Sequence, residues 1–381
     1  MTVKQIYELM NKVTGEALGE GNVLAEDLTN IVQIGDAIQN VMGLDNYVRS
    51  LVDHIGRTIF VDRVYSGRTP SILRDGWEYG SILEKVAYQG LPEAQENEAW
   101  NLQDGAVYEE NQFYQPQVTV KFYNDAVTFM IPMSFTEMQV KSSFSNSGQL
   151  NGFISMIRNA IANSMTVKID ELIRRALNNF ISEVVYTNDG VTYVKLLTLY
   201  NNTLPDIGGA TPITAEEFMR TPDAMKFAIN KFYNYIDYLA VMNTRFNLGH
   251  QPRFTPKDRL QVIMLSAFKN AASVYLDSDT FHEEYVALPQ AESIPYFQGS
   301  GTSFAFEDIS NINVTNSYGH SVNVDNVVAI MFDKDAVGVA NQDTHVTNKW
   351  NAVGEFWNEW VKAKMSLWND TNENFIVFAL N

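Results

Sequence analysis

The chain has 381 residues, 45% of them hydrophobic, enough to bury a sizeable core and to hold more than one domain. A formal net charge of −18 and a pI near 4.7 oppose binding to polyphosphate or to anionic membrane surfaces. There is no cysteine, which excludes disulfides, thiolate metal sites and cysteine nucleophiles.

Residues 1–55 read as an arm in which acidic residues outnumber basic ones. Short helices are predicted over 3–18 and 36–54. Nothing in this segment suggests a core of its own, so it is expected to pack on other parts or other subunits. Residues 1–13 mix Lys, Glu and Asn among their apolar residues and lack a signal-peptide run. No stretch approaches the ~20 apolar residues that span a bilayer.

From 59 to 131 the pattern turns to strands. Short β-rich runs fall over 58–61, 118–123 and 127–131. Between them, Lys85 and Lys121 are consecutive basic residues. The gap they enclose holds Glu93, Glu96, Glu98, Asp104, Glu109 and Glu110, interspersed with Trp100, Tyr108, Phe113 and Tyr114. Gly90-Leu91-Pro92 and Asp104-Gly105 mark turns. Two readings stand side by side: a solvated surface loop, or a projecting hairpin that lies on another subunit. In the second, the acids meet basic partners and the aromatic residues anchor the contact.

Residues 148–185 read as one long amphipathic helix. Leu150, Ile154, Ile157, Ile161, Met165, Ile169, Leu172, Ala176, Phe180 and Val184 recur three or four apart, and no proline interrupts them. At 1.5 Å per residue the helix would run ~55 Å. The mean step exceeds 3.6, so the stripe winds slowly and the two ends face different neighbours. Arg158, Lys168, Arg174 and Arg175 on this helix are the candidate partners for a neighbour's acidic loop.

Beyond it a turn at Asn188-Asp189-Gly190 leads into a strand over 191–199 and a Pro/Gly-rich linker over 203–212. A second helix is predicted from Pro222, capped by Thr221 and ended by Leu248-Gly249. A buried strand over 260–265 feeds a helix capped by Ser266. Strand candidates follow at 303–306, 309–314 and 322–332. Residues 354–368 are rich in Trp and Phe. The apolar run 375–380 reads as a terminal strand that must be paired and covered, because an exposed edge would aggregate.

Groups able to do chemistry are sparse. The five histidines, His54, His250, His282, His320 and His345, have no paired metal spacing. His282-Glu283-Glu284 reads more readily as a solvated helix end than as a metal site. There is no GxxxxGK[ST] and no GxGxxG, so no phosphate cradle is evident. Gly299-Ser300-Gly301 lacks a nucleophile-elbow context. Asp325, Asp333, Asp335 and Asp343 lack an EF-hand pattern. No pair among the 45 acidic residues stands out as catalytic. The aromatic residues could line a sugar cleft but suit core and subunit contacts better. No cofactor and no metal are expected.

The order of arm, projecting hairpin, long helix, mixed α/β segment and last strand resembles the Hong Kong 97-type major capsid proteins of tailed bacteriophages. Several stretches are similar to major head proteins of small short-tailed phages. They are 99–105 (Ala-Trp-Asn-Leu-Gln-Asp-Gly), 153–157 with 164–168, Arg253-Phe254-Thr255-Pro256, 278–282, 298–301, and 369–375 (Asn-Asp-Thr-Asn-Glu-Asn-Phe). The resemblance spans nearly the whole chain and rests on their number and order. It implies an α+β, Hong Kong 97-like capsid fold. Residues 1–55 would be the N-arm and 56–118 a strand with the extended β-hairpin loop. The peripheral domain would comprise 119–215, with the spine helix, and a return over 341–381 carrying the C-terminal strand. The axial domain would be 216–340.

The resemblance also implies a structural subunit, not an enzyme. It would self-assemble as pentamers and hexamers into an icosahedral or prolate head enclosing double-stranded DNA, with a portal protein at one vertex. Fifty-odd residues are too few for the cleaved scaffolding segment of many relatives, so a separate scaffold protein and an uncleaved subunit are expected. No appended immunoglobulin-like domain is expected. The expected location is the virion, after assembly in the host cytoplasm, with no membrane partner. The rival readings are an encapsulin-like nanocompartment shell, which shares the architecture, and an acidic polysaccharide hydrolase.

Overall fold

A computed structural model of the chain describes residues 3–18, 72–74, 83–88, 90–108, 110–111, 113–136, 147–187, 190–204, 211–279, 291–299, 303–316 and 319–381. The expected helix over 36–54, the strand over 58–61, most of the linker over 203–212, and His54, His282, Glu283 and Glu284 lie outside the described residues, as do Glu109, Asn188, Asp189, Ser300 and Gly301.

Helix α1 spans Val3–Leu18 and buries Met10 and Val13. Strands β1 (Leu73–Arg74), β2 (Leu83–Tyr88), β3 (Val118–Tyr123) and β4 (Ala126–Thr136) follow. The long helix, α2, runs over Ser147–Thr187, 41 residues in one piece. From Ile157 onward its expected stripe is buried, apart from a half-buried Met165. Toward the C-terminal end Ile173, Leu177 and Ile181 are buried too, so the apolar cover widens there to most of the circumference. Two of the polar groups drawn in with it donate to nearby carbonyls. Asn178 Nδ2 donates to the Phe297 carbonyl at 3.1 Å, and Ser182 Oγ to the Asn179 carbonyl at 2.7 Å.

Two sheets share this helix. One has the order β1-β11-β12-β4, where β11 is Val337–Asn351 and β12 Phe356–Asn369. The other has five strands in the order β5-β13-β10-β6-β7. They are β5 (Tyr193–Lys195), β6 (Leu260–Leu265), β7 (Glu292–Ile294), β10 (Val327–Asp333) and β13 (Phe375–Ala379). A separate hairpin pairs β8 (Ile312–Thr315) with β9 (Ser321–Val324). Every residue of β10 and β13 is buried, as a strand covered on both faces requires. Phe375 meets Phe180 of α2 at 4.1 Å between ring centroids. Phe378, on the opposite face, meets Phe232 at 4.7 Å. The remaining helices are α3 (Leu196–Asn201), α4 (Ala215–Phe218), α5 (Pro222–Leu239), which carries Phe232, α6 (Ser266–Asp279) and α7 (Phe306–Ser310). The five-stranded sheet is therefore sandwiched between α2 and α5.

Several boundaries differ from the sequence reading. The last strand is an integral sheet member, but its neighbours are β10 and β5. The division at 340/341 thus separates β13 from β10, a strand it pairs with. An all-apolar strand needs cover on both faces, and the five-stranded sheet supplies it where a half-exposed sheet could not. The expected strand over 191–199 is only β5, after which the chain turns into α3. Helix α5 ends at Leu239, before Leu248-Gly249; Asn243 instead pairs with Arg253, its N–H donating to the Arg253 carbonyl at 3.0 Å. Thr221 is the N-cap of α5 with Pro222 next to it, as expected, but its side chain makes no capping bond. Thr221 Oγ1 donates to the Glu217 carbonyl and Ser266 Oγ to the Ile294 carbonyl. The run 322–332 is broken at Asn326, whose φ is +58°, and becomes β9 and β10.

Candidate functional site

Strands β2 and β3 pair antiparallel from Leu83↔Tyr123 to Tyr88↔Val118 and carry the 90–117 stretch at their far end. The pleat gives the hairpin two unlike faces. Glu84, Val86, Tyr88, Val118, Val120 and Phe122 point away from the body and are exposed, Phe122 by 64% and Val86 by 62%. Lys85, Ala87, Thr119, Lys121 and Tyr123 point inward. In this register Lys85 and Lys121 stand directly opposite each other. Like charges at that position destabilise a hairpin unless an anion lies between them.

Asp370 is that anion. Its side chain is only 4% exposed, and its two oxygens divide the lysines: Lys85 Nζ is 2.7 Å from Oδ2 and Lys121 Nζ is 3.2 Å from Oδ1. Lys85 Nζ also donates to the Asp335 carbonyl at 3.0 Å and reaches Glu373 Oε1 at 3.4 Å. Lys121 Nζ is 3.3 Å from Thr371 Oγ1. Arg253 Nε closes the cluster 3.5 Å from Glu373 Oε2. The Asn372 N–H donates to Asp370 Oδ1 at 3.1 Å, so the turn after β12 holds the carboxylate in place.

The two acids titrate in opposite directions. Burial alone would raise the Asp370 pKa, but Lys85, Lys121 and the Asn372 N–H together hold it below the ordinary carboxylate value. At Glu373 burial outweighs Lys85 and Arg253, with Asp370 and Asp333 adding to it, and the pKa is pushed up. Burial and the adjacent Asp370 push the Tyr123 hydroxyl far up as well, so it stays neutral. The cluster has no nucleophile and base set for reaction. It is an electrostatic clamp on the root of the hairpin. Among the described residues no group of three or more His, Asp or Glu side chains could hold a metal ion. No helix among them is long and apolar enough to cross a membrane.

Beyond the clamp the hairpin is bare. Glu93, Glu96, Asp104 and Glu110 are exposed. So are Trp100 (89%), Phe113 (82%), Tyr114 and Tyr108. Glu98 begins a 3-10 turn over Glu98–Trp100; its side chain, like Glu109, lies outside the described residues. The four cations expected to receive the acids are differently placed. Arg158 is 8% exposed and directed into its own subunit. Lys168 pairs with Glu171 on the same helix at 2.7 Å. Arg174 lies over the Tyr296 ring, 4.7 Å from its centroid. Arg175 is exposed.

Sequence reasoning used the two lysines only as flanks and did not single out Asp370, Glu373 or Arg253. A signal was present nonetheless. Two of the stretches quoted for the family resemblance, Arg253–Pro256 and 369–375, meet at this cluster. Asn374 Nδ2 donates to Thr255 Oγ1 at 3.1 Å and the Gly249 N–H to the Thr371 carbonyl at 2.9 Å.

The model of the Phi29-like phage major capsid protein family matches residues 10–379. No curated protein matches the chain. Among solved structures, the chain is similar to one in the capsid structure of Staphylococcus phage Andhra. The TM-score is 0.53 at 9% identity, covering 81% of this chain and 82% of that one. It is also similar to a chain in the structure of head fiber and inner core protein gp22 of native bacteriophage P68. Here the TM-score is 0.52 at 10% identity, covering 81% and 83%.

Proposed function

The chain belongs to the Phi29-like phage major capsid protein family, a structural component of the virion with a Hong Kong 97-like fold, and from that premise we propose how its parts serve a shell. The clamped hairpin is the arm by which one subunit holds the next. Its root is fixed to its own subunit, and its tip and outer face are left for a neighbour. The observation that carries this is the pairing of a buried clamp with a tip on which Trp100 is 89% exposed. Exposed apolar surface of this extent on a charge-bearing arm marks an interface.

The same chain, repeated as pentamers and hexamers, closes an icosahedral or prolate head. Residues 1–55 act as the N-terminal arm, 56–118 as the reaching element, and 119–215 with the four-stranded sheet of 341–369 as the peripheral body. Residues 216–340, with β5 and β13 completing their five-stranded sheet, form the axial body. A separate scaffold protein guides assembly in the host cytoplasm, a portal protein occupies one vertex, and double-stranded DNA is enclosed without sequence-specific contact. The subunit does no catalysis. Neither a nanocompartment shell nor a polysaccharide hydrolase is favoured by any observation.

Electron microscopy of the expressed protein, alone and with its scaffold, tests the proposal. Closed shells are expected. A discrete small particle with hydrolytic activity would overturn it. Reversing Glu93 and Glu96 to lysine should leave the subunit folded and impair assembly.

A further inference from the structure

Among the described residues the chain passes between the two sheets three times: once through α2, and twice through short linkers, 334–336 from β10 to β11 and 370–374 from β12 to β13. The linkers lie side by side. The Asp370 N–H donates to the Ala336 carbonyl at 2.7 Å, and the Asp333 N–H to the Asn374 carbonyl at 3.0 Å. Each is also folded on itself, the Ala336 N–H donating to the Asp333 carbonyl at 2.8 Å and the Glu373 N–H to the Asp370 carbonyl at 3.1 Å. Short turns at the ends of elements are where a chain absorbs the φ and ψ changes of a hinge.

On the side of the five-stranded sheet both linkers are pinned by arginines from the segment before β6. Arg259 meets Asp333 at 3.3 Å and also Asp335, and Arg253 Nε meets Glu373 Oε2 at 3.5 Å. From the other side comes the hairpin. An ammonium group has three N–H donors, and Lys85 Nζ has an acceptor for each. The Asp335 carbonyl, at 3.0 Å, lies on the first linker; Asp370 Oδ2, at 2.7 Å, and Glu373 Oε1, at 3.4 Å, lie on the second. Lys121 Nζ reaches the second linker alone, through Asp370 and Thr371. Lys85 thus ties the hairpin to both linkers at once, and Lys121 ties it to one.

We infer that the hairpin root is the staple of a hinge between the two sheets. With Lys85 in place both linkers move together with β2 and β3, so the direction of the hairpin and the angle between the sheets are one coupled variable. A neighbour that fixes the hairpin thereby sets the angle, and the same chain can match its reach to its body in each position it occupies. Helix α2 permits this. It supports both sheets largely through apolar side chains, Phe180 on Phe375 among them, and such non-directional packing allows small sliding. Its bond from Asn369 Nδ2 to the Ala176 carbonyl, 3.3 Å, holds the pivot beside the linkers. This goes beyond the capsid reading, since it concerns the single subunit.

A distance between the two bodies tests it. The chain has no cysteine, so a pair introduced as Ala352→Cys and Asn230→Cys takes two spin labels and no others. Ala352 is exposed in the turn joining β11 to β12, at the end of the sheet far from the linkers, and Asn230 is exposed on α5. Strand β12 has 14 residues, ~45 Å of strand, so a rotation of ~10° at the linkers moves that turn by up to ~8 Å. Lys85→Gln and Lys121→Gln should both speed amide exchange in β2 and β3. Lys85→Gln alone should shift or broaden the label distance by several ångströms. Unchanged exchange in β10 and β13 establishes that a variant is folded, and Lys85→Met, which keeps most of the stem, serves if Lys85→Gln is not. A distance distribution in the Lys85 variant equal to that of the parent overturns the inference. So does an equal change in Lys121→Gln, which would mean that any release of the hairpin loosens the sheets. Both are read in the free subunit, so neither result bears on the shell reading, which microscopy tests separately.

Discussion

Replacing Asp370 by Asn should release the hairpin while leaving the body folded. The substitution preserves shape and an oxygen able to accept the Asn372 N–H, and removes only the charge. Two lysines would then face each other across the hairpin with no anion between them. Breaking a buried ion pair by removing one partner costs about 3–5 kcal/mol. Here the lysine side chains are 22% and 36% exposed, so each can turn toward water, and Lys85 keeps Glu373 at 3.4 Å. Discounted for that access, the expected cost is roughly 2–3 kcal/mol. That corresponds to roughly 30- to 150-fold more frequent opening of the hairpin. Amide hydrogen exchange in the free subunit reads it directly. Amides of β2 and β3 should exchange faster by that factor, while those of β10 and β13 keep their rates. Equal acceleration in both regions, or a change under twofold in the hairpin, would refute the clamp.

The pKa directions predict a pH signature in urea unfolding. Asp370, held low, contributes stability that is complete above the ordinary carboxylate pKa and lost as pH falls through its depressed value; the penalty of Asp370→Asn should therefore vanish in strong acid. Glu373, pushed up, contributes in the opposite sense, so Glu373→Gln should stabilise at pH 7 and have no effect once the native residue is protonated. Phe180→Ala, at a fully buried ring packed on Phe375, should cost about 3–5 kcal/mol in equilibrium unfolding. Gly338→Ala would drive a Cβ into the Trp368 ring beside it and should cost about 1–3 kcal/mol or prevent folding.

Where a segment's own pattern settles its fate, the sequence was readable. Val3–Leu18, α2 and β6 agree with their periodicity or apolar run. The β11–β12 hairpin was not. Much of β11 reads Asn-Gln-Asp-Thr-His-Val-Thr-Asn-Lys, residues of mostly poor strand propensity, and it is held as a strand by pairing with β12 along its whole length. The clamp was illegible for a related reason. Lys85 and Asp370 are 285 positions apart, and only the register of β2 on β3, with the turn after β12, brings the charges together. The acidic tip, by contrast, was visible as composition alone, because Glu93, Glu96, Asp104 and Glu110 are exposed and do not depend on the fold to be brought together.

The hairpin breaks two rules of a stable two-stranded sheet, and the two violations have different remedies. Opposed lysines on the inner face are answered inside the subunit by Asp370. On the outer face, Val86, Tyr88, Val118, Val120 and Phe122 remain between 45% and 64% exposed. An isolated two-stranded hairpin is marginal in water, so this face is a standing cost until something covers it. Burying the exposed half of five such side chains contributes on the order of 1 kcal/mol each, about 5 kcal/mol per subunit before losses to ordering. Assembly should therefore protect the β2 and β3 amides well beyond their level in the free subunit, and Asp370→Asn should lose much of its effect once the shell has closed. Comparing exchange in shells and in dissociated subunits measures this. Equal protection in both states would mean that the apolar face stays wet in the particle, and the hairpin would then be a solvated projection.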